Sequence, residues 1–273
     1  MGDNAGMEMT LRLSKMETDL SGQLIYSLGE GEQRFEFTKF LGKNISLKYT
    51  GNIFCENCGK KTKKSYAQGH CFPCTLKLAS CDLCILKPET CHYDKGTCRE
   101  PEWALTHCFT PHYVYLSNSS GLKVGITRET QIPTRWIDQG ATQALAILRV
   151  KNRKDSGLVE TIIKKHVNDK TDWRKMLKGK SEEVDLKAIA QNLLEKCADE
   201  LKDIEVERVD SEVVTIDFPI LSYPEKVKSI NLDRTPEFSG VLTGIKGQYL
   251  IFEDHVINIR SHSGYEVKIL GEA

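Results

Sequence analysis

The stretch that decides the fold is residues 112–150, HYVYLSNSSGLKVGITRETQIPTRWIDQGATQALAILRV, continued after a polar turn by residues 156–167, SGLVETIIKKHV. Tyr113 to Leu116 and Leu122 to Thr127 are rich in β-branched and aromatic residues, and Ser117-Asn118-Ser119-Ser120-Gly121 joins them. Ser, Asn and Gly tolerate the tight backbone of a turn, so a β-hairpin is expected here. Pro133 suits the first turn of a helix and Gly140 its end, bracketing a short helix that carries Arg135. Residues 142–150 return as a strand. Between Gly157 and Val167 the residues Leu158, Val159, Ile162, Ile163 and Val167 recur at helical spacing. At about 100° per residue, Glu160 falls at the margin of that apolar arc, where a carboxylate can look into a cleft between helix and sheet. His166 falls inside the arc and is expected to be a hydrogen-bonded core histidine.

This order of elements resembles the GIY-YIG nuclease superfamily, especially variants with a Lys-hydrophobic-Gly second motif. Val114-Tyr115 matches the end of the first motif, Lys123-Val124-Gly125 the second, Arg135-Trp136 the helix arginine and Glu160 the metal-binding glutamate. The first-motif glycine is not at its expected place, and Lys123 stands where the superfamily has a tyrosine. The resemblance implies hydrolysis of phosphodiesters in DNA or RNA. Glu160 would hold one divalent ion, usually Mg2+, Arg135 would stabilise charge on the phosphate, and Tyr115 and Lys123 would orient or deprotonate water. Beside this stands a purely structural set of roles: Glu160 and Lys164 as an i, i+4 surface pair, Arg135 paired with Asp138, and Tyr115 in the core.

Nine of the ten cysteines lie between Cys55 and Cys108. In a chain of this length that clustering favours metal over disulfides. Cys55-Glu56-Asn57-Cys58 and Cys71-Phe72-Pro73-Cys74 are separated by twelve residues. Each Cys-x-x-Cys turn brings two thiolates to one ion, so the two pairs are expected to close a structural four-sulfur zinc site. A redox dithiol would account for one pair and leave the other unexplained. Lys60, Lys61, Lys63 and Lys64 between the pairs make a local basic patch suited to phosphates or a solvated loop. A second group follows. Cys81, Cys84, Cys91 and Cys98 are expected to hold a second zinc, with His92 or Cys108 able to replace the third or fourth ligand.

Acidic and basic residues balance at 38 each, so bulk charge gives no argument for nucleic-acid binding and any phosphate contact must be local. No apolar run reaches the length of a membrane span and no leader pattern opens the chain, so a cytoplasmic protein without membrane partners is expected. Short strand-like runs fill residues 1–52 and recur from Glu212 to the end. Their apolar content is thin at each end, so the two ends are expected to join in one small β-barrel. Residues 184–204 read as one long amphipathic helix with Cys197 in its apolar stripe.

The expected fold class is α+β. It comprises an N-terminal β segment (1–52), a zinc-ribbon-like Cys-rich module (53–110), the GIY-YIG-like α/β domain (111–182), an amphipathic helix (183–206) and a C-terminal β domain (207–273). The runs CENCGKKTKKSYAQGHCFPC, CDLC, GTCREPEW, KVGITR and RWIDQGA together are also similar to an uncharacterised Cys-rich bacterial family of unknown function. Two functions remain: a metal-dependent nuclease or phosphodiesterase, or a non-catalytic zinc-stabilised module that binds nucleic acid or protein.

Overall fold

The computed structural model describes residues 7–167 and 171–272. It is a mixed α/β chain with several sheets. It divides into two compact units, one of Met1–Thr75, Leu177–Gly179 and Asp217–Ala273, the other of Leu76–Met176 and Lys180–Ile216. Among the described residues no helix is long and apolar enough to cross a membrane.

In the first unit the two ends of the chain share a sheet. Met7–Arg12 pairs antiparallel with Tyr265–Gly271, which pairs with Asn44–Phe54, and this strand pairs with Glu237–Val241. Side chains alternate across a strand. Accordingly Tyr265, Val267 and Ile269 are buried on one face and Lys268 is exposed on the other. The expected closed barrel is not formed. Met7–Arg12 and Glu237–Val241 are the two edges of an open sheet, and Gly244–Lys246, Tyr249–Phe252, His255–Asn258 and Lys228–Ser229 form a separate one. Closure requires the edge strands to pair at matched length. Here the run EVVTIDF contributes only the two-residue strand Val214–Thr215, and this pairs with Gln143–Val150 in the other unit's sheet.

The second unit is built on the hairpin His112–Asn118 and Leu122–Arg128, with Tyr115 opposite Gly125. Gln143–Val150 pairs on the other side of His112–Asn118, and its register slips between Val114 and Tyr115. The extra residue, Ile147, makes a bulge beside Tyr115, a device that re-aims neighbouring side chains. Val114, Leu116 and Val124 face a core shared with Val159 and Ile163 of the helix Arg153–Ile163 and Leu193 of the helix Leu186–Lys196. Asn152 caps the first helix by accepting from the Asp155 N–H, and Asp185 caps the second from Ala188. The expected long helix breaks at Cys197, which is fully buried with φ −93° and ψ 0°, before a short helix Ala198–Leu201. His166 is exposed, against the core role expected for it. The helix ends at Ile163, so the periodicity that placed His166 inward no longer holds there.

His112 is fully buried, with Nδ1 2.7 Å from the Thr110 carbonyl and Nε2 buried without a hydrogen-bond partner. Burial lowers its pKa to about 4, and the charges of Arg153 and Arg128 act in the same direction against the Thr110 carbonyl. The folded state therefore takes up this proton later than the unfolded chain. The neutral ring's contribution is complete above the unfolded pKa of about 6.5 and is lost as pH falls toward 4, up to about 3 kcal/mol. In urea titrations between pH 7 and pH 4, the His112→Asn variant is expected to lose less stability than the parent. Reading the difference between the two cancels any zinc release common to both.

Candidate functional site

Cys55 follows directly on the strand Asn44–Phe54, and the turn to Cys58 is closed by the Gly59 N–H on the Cys55 carbonyl at 2.8 Å. Cys71 and Cys74 stand at the start of the helix Phe72–Lys77. The four ligand atoms all lie within 4.8 Å of one another, and the Cys58 and Cys71 sulfurs are 3.8 Å apart. A tetrahedral ion with Zn–S bonds of about 2.3 Å sets its sulfurs about 3.8 Å apart. The Cys71 N–H donates to the Cys55 sulfur at 3.2 Å and the Asn57 amide to Cys74 at 3.4 Å.

Burial disfavours a charge on Cys55, but N–H groups of Cys58, Cys71 and Asn57 outweigh it and bring the thiol down to about 5. For Cys74 the Asn57 amide favours the thiolate, yet the adjoining Cys71, Cys55 and Cys58 sulfurs push its pKa up to about 12. Sulfurs this close hold a proton between them unless a cation takes its place. The donor set, its spacing and its N–H bonds all fit zinc.

The second cysteine group is arranged differently. Cys84, Cys91, Cys98 and Cys108 line one cavity of about 20 Å³ with Trp103, and Cys81 is not among its lining residues. Burial raises the Cys84 thiol to about 11, followed by the charge of Asp82 and then of Cys91, Cys108 and Cys98. Burial likewise raises Cys108, while Arg153 opposes it. The ligand atoms of Asp82, Cys84 and His92 lie within 4.8 Å of one another. Asp82 is already bound by the Arg99 Nε at 2.8 Å and accepts from the Leu83 N–H, while His92 Nδ1 is 2.8 Å from the Thr97 hydroxyl. A cation at that triad would sit beside the Arg99 guanidinium, so it is a salt-bridged cap.

In the second unit's sheet, Tyr115 is fully buried, donates to Gln139 Oε1 at 2.9 Å and meets Trp136 edge-on. Burial raises its pKa, the Arg135 guanidinium beside its hydroxyl lowers it, and the charge of Glu160 raises it again. Arg135 and Glu160, both half-buried, thus act on one phenol. Lys123 is also buried, and its Nζ donates to the Thr171 hydroxyl at 2.7 Å. Gln139 and Thr171, which hold these two side chains, carry no signal in the sequence that would single them out.

Gly125 is what admits the Tyr115 ring. A Cβ built there lies 2.6 Å from both Cζ and the hydroxyl oxygen. Gly125→Ala is expected to destabilise the chain by about 1–3 kcal/mol through overpacking. In a Tyr115→Ala background the same change should be much milder, which a double-mutant cycle in urea measures.

No curated protein and no solved structure matches the chain. Residues 42–267, spanning the first cysteine cluster, the second cysteine group and the hairpin, match the family described as Protein of unknown function (DUF2797), and the chain belongs to that family.

Proposed function

We propose that the protein is a zinc-stabilised, divalent-metal-dependent nuclease or related phosphodiesterase of the GIY-YIG type, acting on nucleic acid. What supports this reading is that the Arg135 guanidinium and the Glu160 charge both bear on the buried Tyr115 hydroxyl. A guanidinium and a carboxylate so placed are the two groups a phosphate and its metal ion need. Arg135 donates to the phosphate oxygens, in the forked geometry that favours arginine over lysine. Glu160 would hold a magnesium ion, a cation that takes one or two protein carboxylates, keeps its other positions for water and phosphate oxygens, and would supply electrophilic charge there. A half-buried single carboxylate fits that partial coordination. Tyr115 and Lys123, buried and hydrogen-bonded to Gln139 and Thr171, position Arg135 and the hairpin instead of meeting water.

The second reading is a non-catalytic zinc-stabilised module that binds nucleic acid or protein. The full burial of Tyr115 and its hydrogen bond to Gln139 favour it, since these are the contacts of a core side chain. The deciding experiment incubates the purified chain with mixed DNA and RNA, with and without magnesium, beside Glu160→Ala. Magnesium-dependent cleavage that disappears in the variant supports the nuclease. Binding without cleavage supports the module, and cleavage unchanged in Glu160→Ala removes this site from the chemistry.

A further inference from the structure

The segment between the two Cys-x-x-Cys pairs of the first site carries aromatic surface that the fold leaves uncovered. Tyr66 and Phe72 are 38% and 54% exposed, their ring centroids lie 5.6 Å apart, and the Lys64 ammonium is 5.3 Å from the centre of the Tyr66 ring. Lys60, Lys61 and Lys63 are exposed on the same loop. Large rings left in water forfeit the gain of burial, and here two stand together among cations.

The turn that presents them is fixed from several sides. Tyr66 and His70 pair across it, with the Tyr66 N–H 2.8 Å from the His70 carbonyl, and Gln68 and Gly69 take left-handed φ values of 57° and 91°. The Glu56 N–H donates to the Gly69 carbonyl at 3.0 Å and the Ser65 hydroxyl to the Ser263 carbonyl at 2.8 Å. A Cβ at Gly69 would lie 2.9 Å from the Ser263 Cβ, so the turn packs closely on its neighbours. Rings presented on so fixed a turn lose little freedom when a partner stacks on them. His70 also lines an open cleft of about 240 Å³ with Lys15 and Arg260, in which Glu56 is the one acid. The His70 Nδ1 has no hydrogen-bond partner. An ammonium, a guanidinium and an imidazole against one carboxylate suit a phosphate.

We propose that this face of the first cysteine module binds single-stranded nucleic acid. Tyr66 and Phe72 stack on unpaired bases, Lys60, Lys63 and Lys64 follow the backbone, and the cleft of Lys15, His70 and Arg260 takes one phosphate. A duplex keeps its bases stacked on one another and offers these rings no face. The inference rests on the nucleic-acid reading above and adds the form of strand, but it does not require cleavage. The test is fluorescence anisotropy on the intact chain without magnesium, using labelled oligo-dT, oligo-U and a duplex of equal length. At least one single strand is expected to bind about tenfold more tightly than the duplex. Tyr66→Ala with Phe72→Ala should weaken that binding about tenfold or more at unchanged zinc content, whereas Tyr66→Phe with Phe72→Trp keeps both faces and should bind as the parent does. Lys60→Gln, Lys63→Gln and Lys64→Gln combined should lower the slope of log affinity against log salt by about two. This variant alters exposed side chains alone, so it reads the surface even where the alanine pair loses its zinc. Duplex bound as tightly as both single strands, an alanine pair that binds like the parent, or an unchanged salt slope overturns the proposal. Cleavage is read separately with magnesium: a chain that binds single strands here and cleaves nothing sinks the nuclease alone, and one that cleaves without this binding sinks this surface alone.

Discussion

Replacement of Cys55 by serine is expected to release the zinc and lower the stability of the first unit by about 3–5 kcal/mol, among the largest effects a single side chain can have. The size follows from position. Cys55 continues the central strand Asn44–Phe54, its sulfur accepts the Cys71 N–H, and its N–H bonds the Lys60 carbonyl. Removing the ion leaves the remaining sulfurs crowded and unneutralised at the end of the strand to which both Tyr265–Gly271 and Lys61–Thr62 are paired. Cys197→Ser, in the core of the other unit, should cost some stability but leave zinc content unchanged. Thermal midpoints and zinc content measured on both variants separate loss of metal from loss of packing.

The second large effect is expected at Arg135. If Arg135 stabilises the charge that develops on a phosphate, Arg135→Ala should lower kcat by about 10²–10³ with a smaller change in KM. Arg135→Lys should restore only part of it, because an ammonium cannot fork across two phosphate oxygens. Tyr115→Phe should do less: it removes the bond to Gln139 at 2.9 Å and costs about 1 kcal/mol of stability. A steady-state comparison of the three variants separates a group that touches phosphate from one that positions it. Equal losses in Arg135→Ala and Tyr115→Phe would assign Arg135 a structural role only.

Much of this was legible from residue spacing. The hairpin about Ser119-Ser120-Gly121, the helix before Gly140 and the Cys-x-x-Cys pairs rest on local chemistry, and each appears where its residues placed it. What spacing could not convey is long-range partnership. The strand-like runs of the C-terminal region read as one barrel, because sequence does not reveal that Val214–Thr215 leaves for another sheet or that the remaining strands divide between two. Cys81 beside Cys84 reads as a pair. Spacing offers Cys108 only as an alternative ligand; the fold sets it, at the end of the helix Pro101–His107, in the lining of the cavity of Cys84, Cys91 and Cys98. Arg153 stands in the polar run Lys151-Asn152-Arg153-Lys154 and gives no sign in sequence that its guanidinium reaches the Ile85 carbonyl. His166 was misplaced because a helical period carries no mark of where the helix stops.

The most direct measurement is elemental analysis of the purified chain beside its Cys71→Ser variant, with thermal unfolding of both. About one zinc per chain at the first site is expected, lost in the variant together with a clear fall in the unfolding midpoint. A zinc-free parent chain that unfolds cooperatively at the same temperature as the variant would contradict the account.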